Sequence, residues 1–179
     1  MNYSATKLSG ACLVEPLCFP DSRGSFSRLW CEQEFDGNGF PFKPKQMNFV
    51  RTIHRGTIRG MHYQKPPQQI AKLIICTRGS LYDVMLDIRP DSPTFLQWQG
   101  IMLSESEPRM LMVPAGFAHG YQTLEQNTDA LYLMDGSHDP SAETGIRWND
   151  SRFNFVWKST PEKIISQRDQ EWADFQMPS

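Results

Sequence analysis

The chain lacks the signals that identify secreted, membrane-spanning and nucleic-acid-binding proteins. No apolar run among its 179 residues approaches the roughly 18 residues needed to cross a bilayer. The formal net charge of −2 leaves no basic excess to attract nucleic acid. Residues 1–7 lack the basic start and apolar block of a signal peptide. We therefore expect a cytoplasmic protein with no membrane partner and no nucleic-acid partner.

Cysteine is scarce and irregularly placed. The four cysteines, Cys12, Cys18, Cys31 and Cys76, show no CxxC spacing. Zinc sites built from cysteine need paired ligands, so zinc is the weaker interpretation. Reduced thiols in a cytosolic protein are the favoured one, because disulfides form mainly in oxidising compartments.

Long helical periodicity is scarce as well, and short alternating stretches separated by glycine, proline, asparagine and aspartate take its place. This pattern is typical of an all-β sandwich or barrel. Because there is no internal repeat and no low-complexity linker, residues 1–179 are predicted to form a single domain. A small antiparallel barrel can hold one ligand, and alternate residues of each strand face its interior.

The clearest strand is predicted over residues 80–89. Its residues alternate between two faces, with Tyr82, Val84, Leu86 and Ile88 on one and Asp83, Met85, Asp87 and Arg89 on the other. Residues 71–76 are predicted to precede it as the first strand of a hairpin. Further strands are predicted over residues 97–103, 109–113 and 130–134. Short helical segments are predicted over residues 32–37 and 166–175, the second capped by Ser166 with Asp169 three residues on.

Two segments combine histidine with glycine in β-rich surroundings, residues 59–64 (RGMHYQ) and residues 114–120 (PAGFAHG). Histidine has an unperturbed pKa near ~6.5 and exchanges protons at neutral pH. Glycine beside it lets a ligand or a second backbone approach closely. The two segments predict a proton-handling or metal-binding cleft around His62 and His119, although His119 alone is equally well a buried histidine bonded to a loop carbonyl.

Several other ionisable residues gain meaning only in combination. Lys72, between apolar neighbours, lies either at an exposed rim or against a polar cavity. Tyr132 alone would be a core aromatic, and Asp169 alone a carboxylate in the first turn of a helix. Arg23 and Arg59 each adjoin a glycine, which suits phosphate binding, but either one alone is more simply a solvated charge.

Taken together, these motifs resemble the dTDP-4-dehydrorhamnose 3,5-epimerase family of sugar-nucleotide epimerases, a metal-free branch of the cupins. The similarity extends from about residue 15 to about residue 169. It is carried by FPDSRG (19–24), QMN (46–48), RGMHYQ (59–64), KL (72–73), DV (83–84), DIR (87–89), SPTF (92–95), PAGFAHG (114–120), Tyr132 and WND (148–150). The resemblance implies an all-β cupin, or jelly-roll, barrel with short helices and a C-terminal helical segment.

The resemblance also implies an epimerase that needs no cofactor and inverts C3, C5 or both in a nucleotide-diphospho-4-keto-6-deoxy sugar. The C4 ketone acidifies the neighbouring C–H bonds, so a base can form an enolate. By the family pattern His62 is the general base, and Asp169 bonds its other ring nitrogen. Lys72 stabilises the enolate oxygen, and Tyr132 donates a proton from the opposite side.

The implied substrate contacts form a larger group. Arg23, Arg59 and Arg168 are implied ligands of the diphosphate, with arginine at 168 where the family often has lysine. The implied sugar or nucleotide contacts are Phe26, Arg28, Gln46, Asn48, His119, His138 and Glu143. Arg28 and His138 stand where the family usually has glutamate and tyrosine. The nucleotide, the sugar and the carbon therefore stay open, with a mono-epimerase or keto-isomerase acting on a CDP- or GDP-linked sugar as the alternative.

A metal is not expected. A metal-binding cupin has two histidines around one residue, then a glutamate and a third histidine, whereas here Gln64 replaces the second histidine and Gln68 and Gln69 occupy the glutamate region. Two remaining ligands are too few for a stable site. A metal-dependent cupin oxygenase or isomerase is therefore a weaker hypothesis, and a non-catalytic sugar-binding cupin is another.

The family usually forms homodimers by exchanging N-terminal strands, so the resemblance implies a homodimer. The segment before Phe19 is then expected to pair with a partner subunit. Val14 and Leu17 are the implied interface residues.

Overall fold

Strands dominate the computed structural model, which describes residues 1–177. The strands are β1 Asn2–Ala5, β2 Cys12–Glu15, β3 Cys18–Asp21, β4 Gly24–Ser27, β5 Gln46–Thr52, β6 Thr57–Gln64, β7 Lys72–Arg78, β8 Ser80–Asp87, β9 Trp98–Ser104, β10 Met110–Val113, β11 Phe117–Thr123, β12 Thr128–Met134, β13 Glu143–Gly145 and β14 Ile164–Ile165. The helices are α1 Glu32–Gly37 and α2 Gln167–Gln170. Within the described range, no helix is long and apolar enough to span a membrane.

The strands form two facing sheets. The first has the order β1–β2–β10–β7–β12–β5, and the second has the order β13–β6–β11–β8–β9 with β14 added to β6 in parallel. Strands β3 and β4 form a separate hairpin. Neighbouring strands come from distant parts of the chain, as in a jelly roll, so the predicted all-β cupin fold is confirmed.

Three apolar layers hold the sheets in place. The inner layer lies between the sheets and contains Ile74, Met85 and Leu111. Aromatic residues from 153–157, together with Phe175, cover the outer face of the second sheet. Phe35 of α1 helps to cover the outer face of the first sheet. Strand β8 lies inside this arrangement and is buried along its whole length, because both of its faces pack against apolar layers.

The predicted hairpin between residues 71–76 and 80–89 is wrong. Strand β7 pairs with β10 and β12 in the first sheet, whereas β8 pairs with β9 and β11 in the second. Only Gly79 separates the two strands, which is shorter than the two-residue loop that a tight hairpin needs. At φ +71° this glycine turns the chain out of one sheet and into the other.

Two other predicted elements are shorter than expected. Strand β8 ends at Asp87 because the Asp87 carboxylate accepts hydrogen bonds from Arg89, Ser92 and Thr94 and closes a turn. Ser166 caps α2 as predicted, accepting from Asp169 N at 3.1 Å. The helix nevertheless stops at Gln170 rather than near residue 175, since Phe175 leaves it to donate its N–H to Asp150 Oδ2 at 2.7 Å.

The N-terminal strands pair within their own subunit, β1 with β2 and β2 with β10. Val14 is fully buried beside Phe35 and Phe42, so the prediction that Val14 lies at a subunit interface is wrong. Its side chain is already covered by its own core. Leu17 is 47% exposed and stays a candidate.

A bulge brings the two histidine segments together. On β6 and β11, His62 pairs with His119 and Arg59 pairs with Tyr121. The interval from Arg59 to His62 is three residues on β6, whereas the matching interval on β11 is two residues, so β6 carries one extra residue. A bulge of this kind changes which face the following residues use. Gly60 lies within this bulge, and a Cβ added there would be 2.5 Å from the Gly120 Cα. The sequence predicts that a ligand or a second backbone approaches this glycine closely, and in the structure it is the backbone of β11 that does so.

We expect Gly60→Ala to lower the free energy of unfolding by about 3 kcal/mol, because the added methyl meets backbone and φ is +129°. Chemical denaturation followed by fluorescence measures the loss. Gly37→Ala is the matched control, since a methyl group added there would have nothing within 4 Å and stability should not fall. Equal stabilities for the two variants would contradict the close-approach interpretation.

Candidate active site

A cavity between the two sheets gathers most of the predicted site residues. It has two adjoining chambers of about 250 and 240 Å³, which share His62, Lys72, Tyr132 and Glu143. The Gln46 chamber adds Gln46, Asn48, Tyr63, Gln64, Ile70, Met134 and His138. The Arg59 chamber adds Val50, Arg59, Ile74, His119, Tyr121, Ala130 and Asp169.

The shared residues come from opposite walls. His62 projects from β6 of the second sheet, whereas Lys72 and Tyr132 project from the neighbouring strands β7 and β12 of the first. Ile70 and Ile74 line the cavity on either side of Lys72, so this lysine faces a polar cavity rather than an exposed rim. A ligand between the sheets would have a histidine on one side and a lysine and a tyrosine on the other.

His62 is held by a buried carboxylate. Its Nε2 lies 2.6 Å from Asp169 Oδ1. Asp169 is 5% exposed and also accepts from Gly60 N at 3.3 Å and Trp172 Nε1 at 3.2 Å. Burial by itself would raise the pKa of Asp169, but the hydrogen bonds and charge of His62, with those from Gly60 and Trp172, outweigh burial and lower this pKa. Asp169 therefore stays ionised and leaves Nδ1 of His62 for a ligand.

His119 has a carboxylate partner of its own. Its Nε2 lies 2.8 and 2.9 Å from the two oxygens of Asp83, which is fully buried on β8. The alternative of a loop carbonyl as the partner of His119 is thus wrong. Because His62 and His119 pair directly across β6 and β11, two histidine–aspartate pairs lie side by side.

Burial changes the proton affinity of the opposite wall. It lowers the pKa of Lys72, although the charges of Asp83 and Glu143 oppose this shift. Burial raises the pKa of Tyr132, with Arg59 acting against the shift and Glu143 adding to it. Tyr132 therefore keeps its proton near neutral pH and is suited to donating it.

Polar groups connect the rim of the Gln46 chamber. Gln46 donates to Asn48 Oδ1 at 3.0 Å and accepts from His138 N at 3.0 Å. Glu143 Oε2 accepts from Arg168 Nη2 at 2.5 Å and lies 3.8 Å from His138 Nε2. Glu143 therefore lies between Arg168 and His138, and Arg168 lies at the cavity edge beside it.

Three predicted contacts lie elsewhere. Arg23 and Phe26 belong to the β3–β4 hairpin and Arg28 follows it, and none of the three lines either chamber. Arg23 pairs with Asp21 at 2.6 Å, and Arg28 pairs with Glu34 at 2.8 Å. The structure does not bring these side chains to the cavity of their own subunit.

The sequence reasoning missed three residues that shape the site. Asp83 was placed on a strand face but not paired with His119, although a carboxylate within an apolar strand signals a buried partner. Trp172 supports Asp169 from just beyond the end of α2, donating its Nε1–H to the Asp169 carboxylate at 3.2 Å. Tyr121 lines the Arg59 chamber two residues after His119, on the same face of β11.

Gln64 stands where a metal-binding cupin has its second histidine, and its side chain bonds to neighbouring loops. The Gln64 amide donates to Gln68 O at 2.6 Å and accepts from Asp139 N at 2.8 Å. Over residues 1–177, no three histidine, cysteine, aspartate or glutamate side chains converge as metal ligands would. The expectation of no metal and no cofactor stays a prediction, which elemental analysis of the purified protein tests.

Sequence comparison assigns the chain to one family of sugar-nucleotide epimerases. Residues 5–177 match the family described as dTDP-4-dehydrorhamnose 3,5-epimerase. The Escherichia coli K12 enzyme of that name is 34% identical over 171 residues, covering 95% of this chain and 92% of that protein.

Solved structures agree. The Bacillus anthracis dTDP-4-dehydrorhamnose 3,5-epimerase, with TDP and PPi bound, is 37% identical with a TM-score of 0.93, covering 97% of this chain and 99% of that one. The Legionella pneumophila dTDP-6-deoxy-D-glucose-3,5-epimerase, in complex with dTDP-4-keto-L-rhamnose, is 31% identical with a TM-score of 0.91, covering 97% and 92%. The resemblance found in the motifs is thereby confirmed, and the chain belongs to the dTDP-4-dehydrorhamnose 3,5-epimerase family.

Proposed function

We propose that this chain inverts C3 and C5 of dTDP-4-dehydro-6-deoxyglucose to give dTDP-4-dehydrorhamnose. Family membership supports the reaction class, and the relatives named above carry the same activity or ligand in their names. The observation that carries the proposal is the placement of His62 and Tyr132 on opposite walls of one cavity. Inversion at carbon needs a proton removed from one face and returned to the other.

The first half of the reaction belongs to His62 and Lys72. Nδ1 of His62 takes the proton from the carbon next to the ketone, and the C–H electron pair moves to form an enolate. Asp169, 2.6 Å from Nε2, fixes the ring and stabilises the imidazolium that results. The ammonium of Lys72 lies across the cavity, where it stabilises the developing negative charge on the C4 oxygen.

The second half belongs to Tyr132. Its hydroxyl gives a proton to the opposite face of the enolate carbon, and the electron pair of the enolate forms the new C–H bond. The direction of the Tyr132 pKa supports this assignment, because a tyrosine that keeps its proton can act as an acid. The proton on His62 and the lost proton of Tyr132 are then restored by exchange with solvent.

We propose that Gln46, Asn48, His119, His138 and Glu143 contact the substrate within the cavity, and that Arg59 and Arg168 bind its diphosphate. Arginine suits this task because its planar fork donates two hydrogen bonds to an oxyanion. We also propose that Arg23, Phe26 and Arg28 contact the substrate of a second subunit. The β3–β4 hairpin and the residue after it lie away from the cavity of their own subunit, so they can reach only the cavity of a partner.

A homodimer is the proposed assembly. The β3–β4 hairpin exposes 57% of Phe19 and 64% of Phe26, and the edge strand β5 exposes 67% of Met47 and 55% of Phe49. Apolar residues on a hairpin and on an unpaired sheet edge are typical of surfaces that another chain covers. A second copy is the proposed occupant, because it would also deliver the missing substrate contacts.

We further propose that residues 1–179 form one domain and that the protein works in the cytoplasm. The cysteines support the second point. All four are free, and Cys12 and Cys76 are buried with burial raising the pKa of their thiols to about 12 and about 11. Such thiols are unreactive and suit a reducing compartment.

Deuterium exchange tests the proposed reaction. The protein is incubated with dTDP-4-dehydro-6-deoxyglucose in heavy water, and NMR follows deuterium at C3 and C5. We expect exchange at both carbons, a loss of roughly 10²- to 10⁴-fold for His62→Ala, and wild-type exchange for the exposed control His54→Ala. Tyr132→Phe should keep exchange but lose inversion, because the base can return its proton to the same face.

Other results would change the proposal in defined ways. Exchange at one carbon alone would mark a mono-epimerase and direct attention to Arg28 and His138. A shifted carbonyl in the product would mark a keto-isomerase. Full activity of His62→Ala would overturn the assigned base.

The pH dependence of stability tests the role of Asp169. Its folded-state pKa is lowered, so its carboxylate adds stability above about pH 4, the ordinary range of aspartate, and loses it as the pH falls through the folded-state pKa. We expect Asp169→Asn to cost about 2 kcal/mol at pH 7 and less at acid pH. Denaturation at a series of pH values measures both. The exposed control Asp91→Asn should cost nothing, and a pH-independent gap for Asp169→Asn would contradict the ionised contact.

Light scattering after gel filtration tests the assembly. We expect the wild type at the mass of a dimer and Phe19→Lys as a monomer, because a lysine buried in the contact without a partner is unfavourable. Val156→Lys is the control, since Val156 is 65% exposed outside the proposed interface. A monomeric wild type would count against the dimer.

A further inference from the structure

One polar group in the Arg59 chamber has no partner. Tyr121 is 8% exposed, and its hydroxyl oxygen forms no hydrogen bond with any residue in the described range 1–177. Its ring packs in the inner apolar layer with Ile74 and Ala130, which fixes the position of the hydroxyl in the cavity wall. An unpaired buried hydroxyl costs stability, so its retention calls for a partner from outside the chain.

The surroundings make this hydroxyl a donor. Burial raises the pKa of Tyr121, while the neighbouring Thr52 hydroxyl and Arg59 charge oppose the shift and Tyr132 and Asp83 add to it. The phenol therefore keeps its proton at neutral pH. Thr52 is close enough to lower this pKa, but its hydroxyl and the Tyr121 hydroxyl do not meet hydrogen-bond geometry.

Arg59 defines what the hydroxyl faces. It lies directly across the paired strands β6 and β11 from Tyr121, and both side chains line the same chamber. In the part of the chain that the structure describes, the Arg59 guanidinium pairs with no carboxylate; its one side-chain hydrogen bond is the long contact to Thr52. A free guanidinium beside an unpaired phenol forms a set of donors without acceptors, which suits an oxyanion.

We propose that Tyr121 is a further substrate-binding residue, whose hydroxyl donates a hydrogen bond to a phosphate oxygen of the nucleoside diphosphate that Arg59 faces. The inference rests on the proposed function, because it takes the ligand to be a dTDP-linked sugar. In this proposal the Arg59 chamber offers the phosphate two different kinds of hydrogen-bond donor. Arg59 supplies charge from an exposed position, and Tyr121 supplies a rigid, water-shielded hydrogen bond.

The proposal implies opposite effects on binding and on stability. Removing the hydroxyl removes one charge-assisted bond to the ligand, which weakens binding by roughly 10- to 100-fold. In the free protein the same change removes an unpaired buried group, so the melting temperature should stay the same or rise. A hydroxyl that only supported the fold would show the reverse pattern.

Calorimetric titration with dTDP and with dTDP-glucose tests the assignment. Tyr121→Phe should weaken both ligands equally, because both carry the diphosphate. Tyr82→Phe is the matched control, since Tyr82 is a buried tyrosine at 7% exposure that packs in the layer outside the second sheet, away from the cavity. The control should bind both ligands like the wild type. Thermal melts of the ligand-free variants provide the second readout.

Each other outcome overturns a stated part of the argument. Weaker binding of dTDP-glucose alone would move the contact to the hexose and overturn the phosphate assignment. Unchanged affinity for both ligands would leave Tyr121 with no binding role. Failure of the wild type to bind dTDP or to exchange deuterium would instead refute the proposed function, and that failure appears without any variant.

Discussion

The contact between Gly60 and Gly120 is the constraint on which the site depends. Only two glycines let β6 and β11 approach this closely, since a methyl group on either one would meet the backbone of the other strand. The close approach accommodates the extra residue on β6. That residue shifts the alternation of side chains by one, so residues three apart point to the same face of the sheet. Arg59 and His62, three residues apart, thereby reach the same cavity instead of opposite sides of the sheet.

Buried carboxylates give this barrel its chemical asymmetry. Asp169 and Asp83 each bind the Nε2 atom of one histidine, so the second sheet presents two oriented imidazoles. The first sheet presents a lysine and a tyrosine whose pKa values are shifted in opposite directions by the same burial. The planar enolate of a keto sugar between these walls meets different chemistry on its two faces, which is what stereochemical inversion requires.

The sequence could predict what is local or carried by motifs. Alternation placed Lys72 on a face with Ile70 and Ile74, and the motifs identified the family. The corner at Gly79 was missed because a hairpin and a change of sheet look alike until the partners of both strands are known. The Asp83–His119 pair was missed for the same reason, since it depends on the register of distant strands. Burial of Val14 likewise followed from tertiary packing rather than from its own strand.

The carboxylate that orients His62 belongs to a different structural layer from the histidine itself. Asp169 lies in a single helical turn, and the chain beyond it is attached to the barrel by Trp172, by the Ala173 carbonyl, by Phe175 and by the Arg147–Asp174 ion pair. A short segment on the outside of a sheet opens at a lower free energy than the strands beneath it. On heating, the enzyme should therefore lose its oriented base while the barrel is still intact, so that inactivation precedes unfolding.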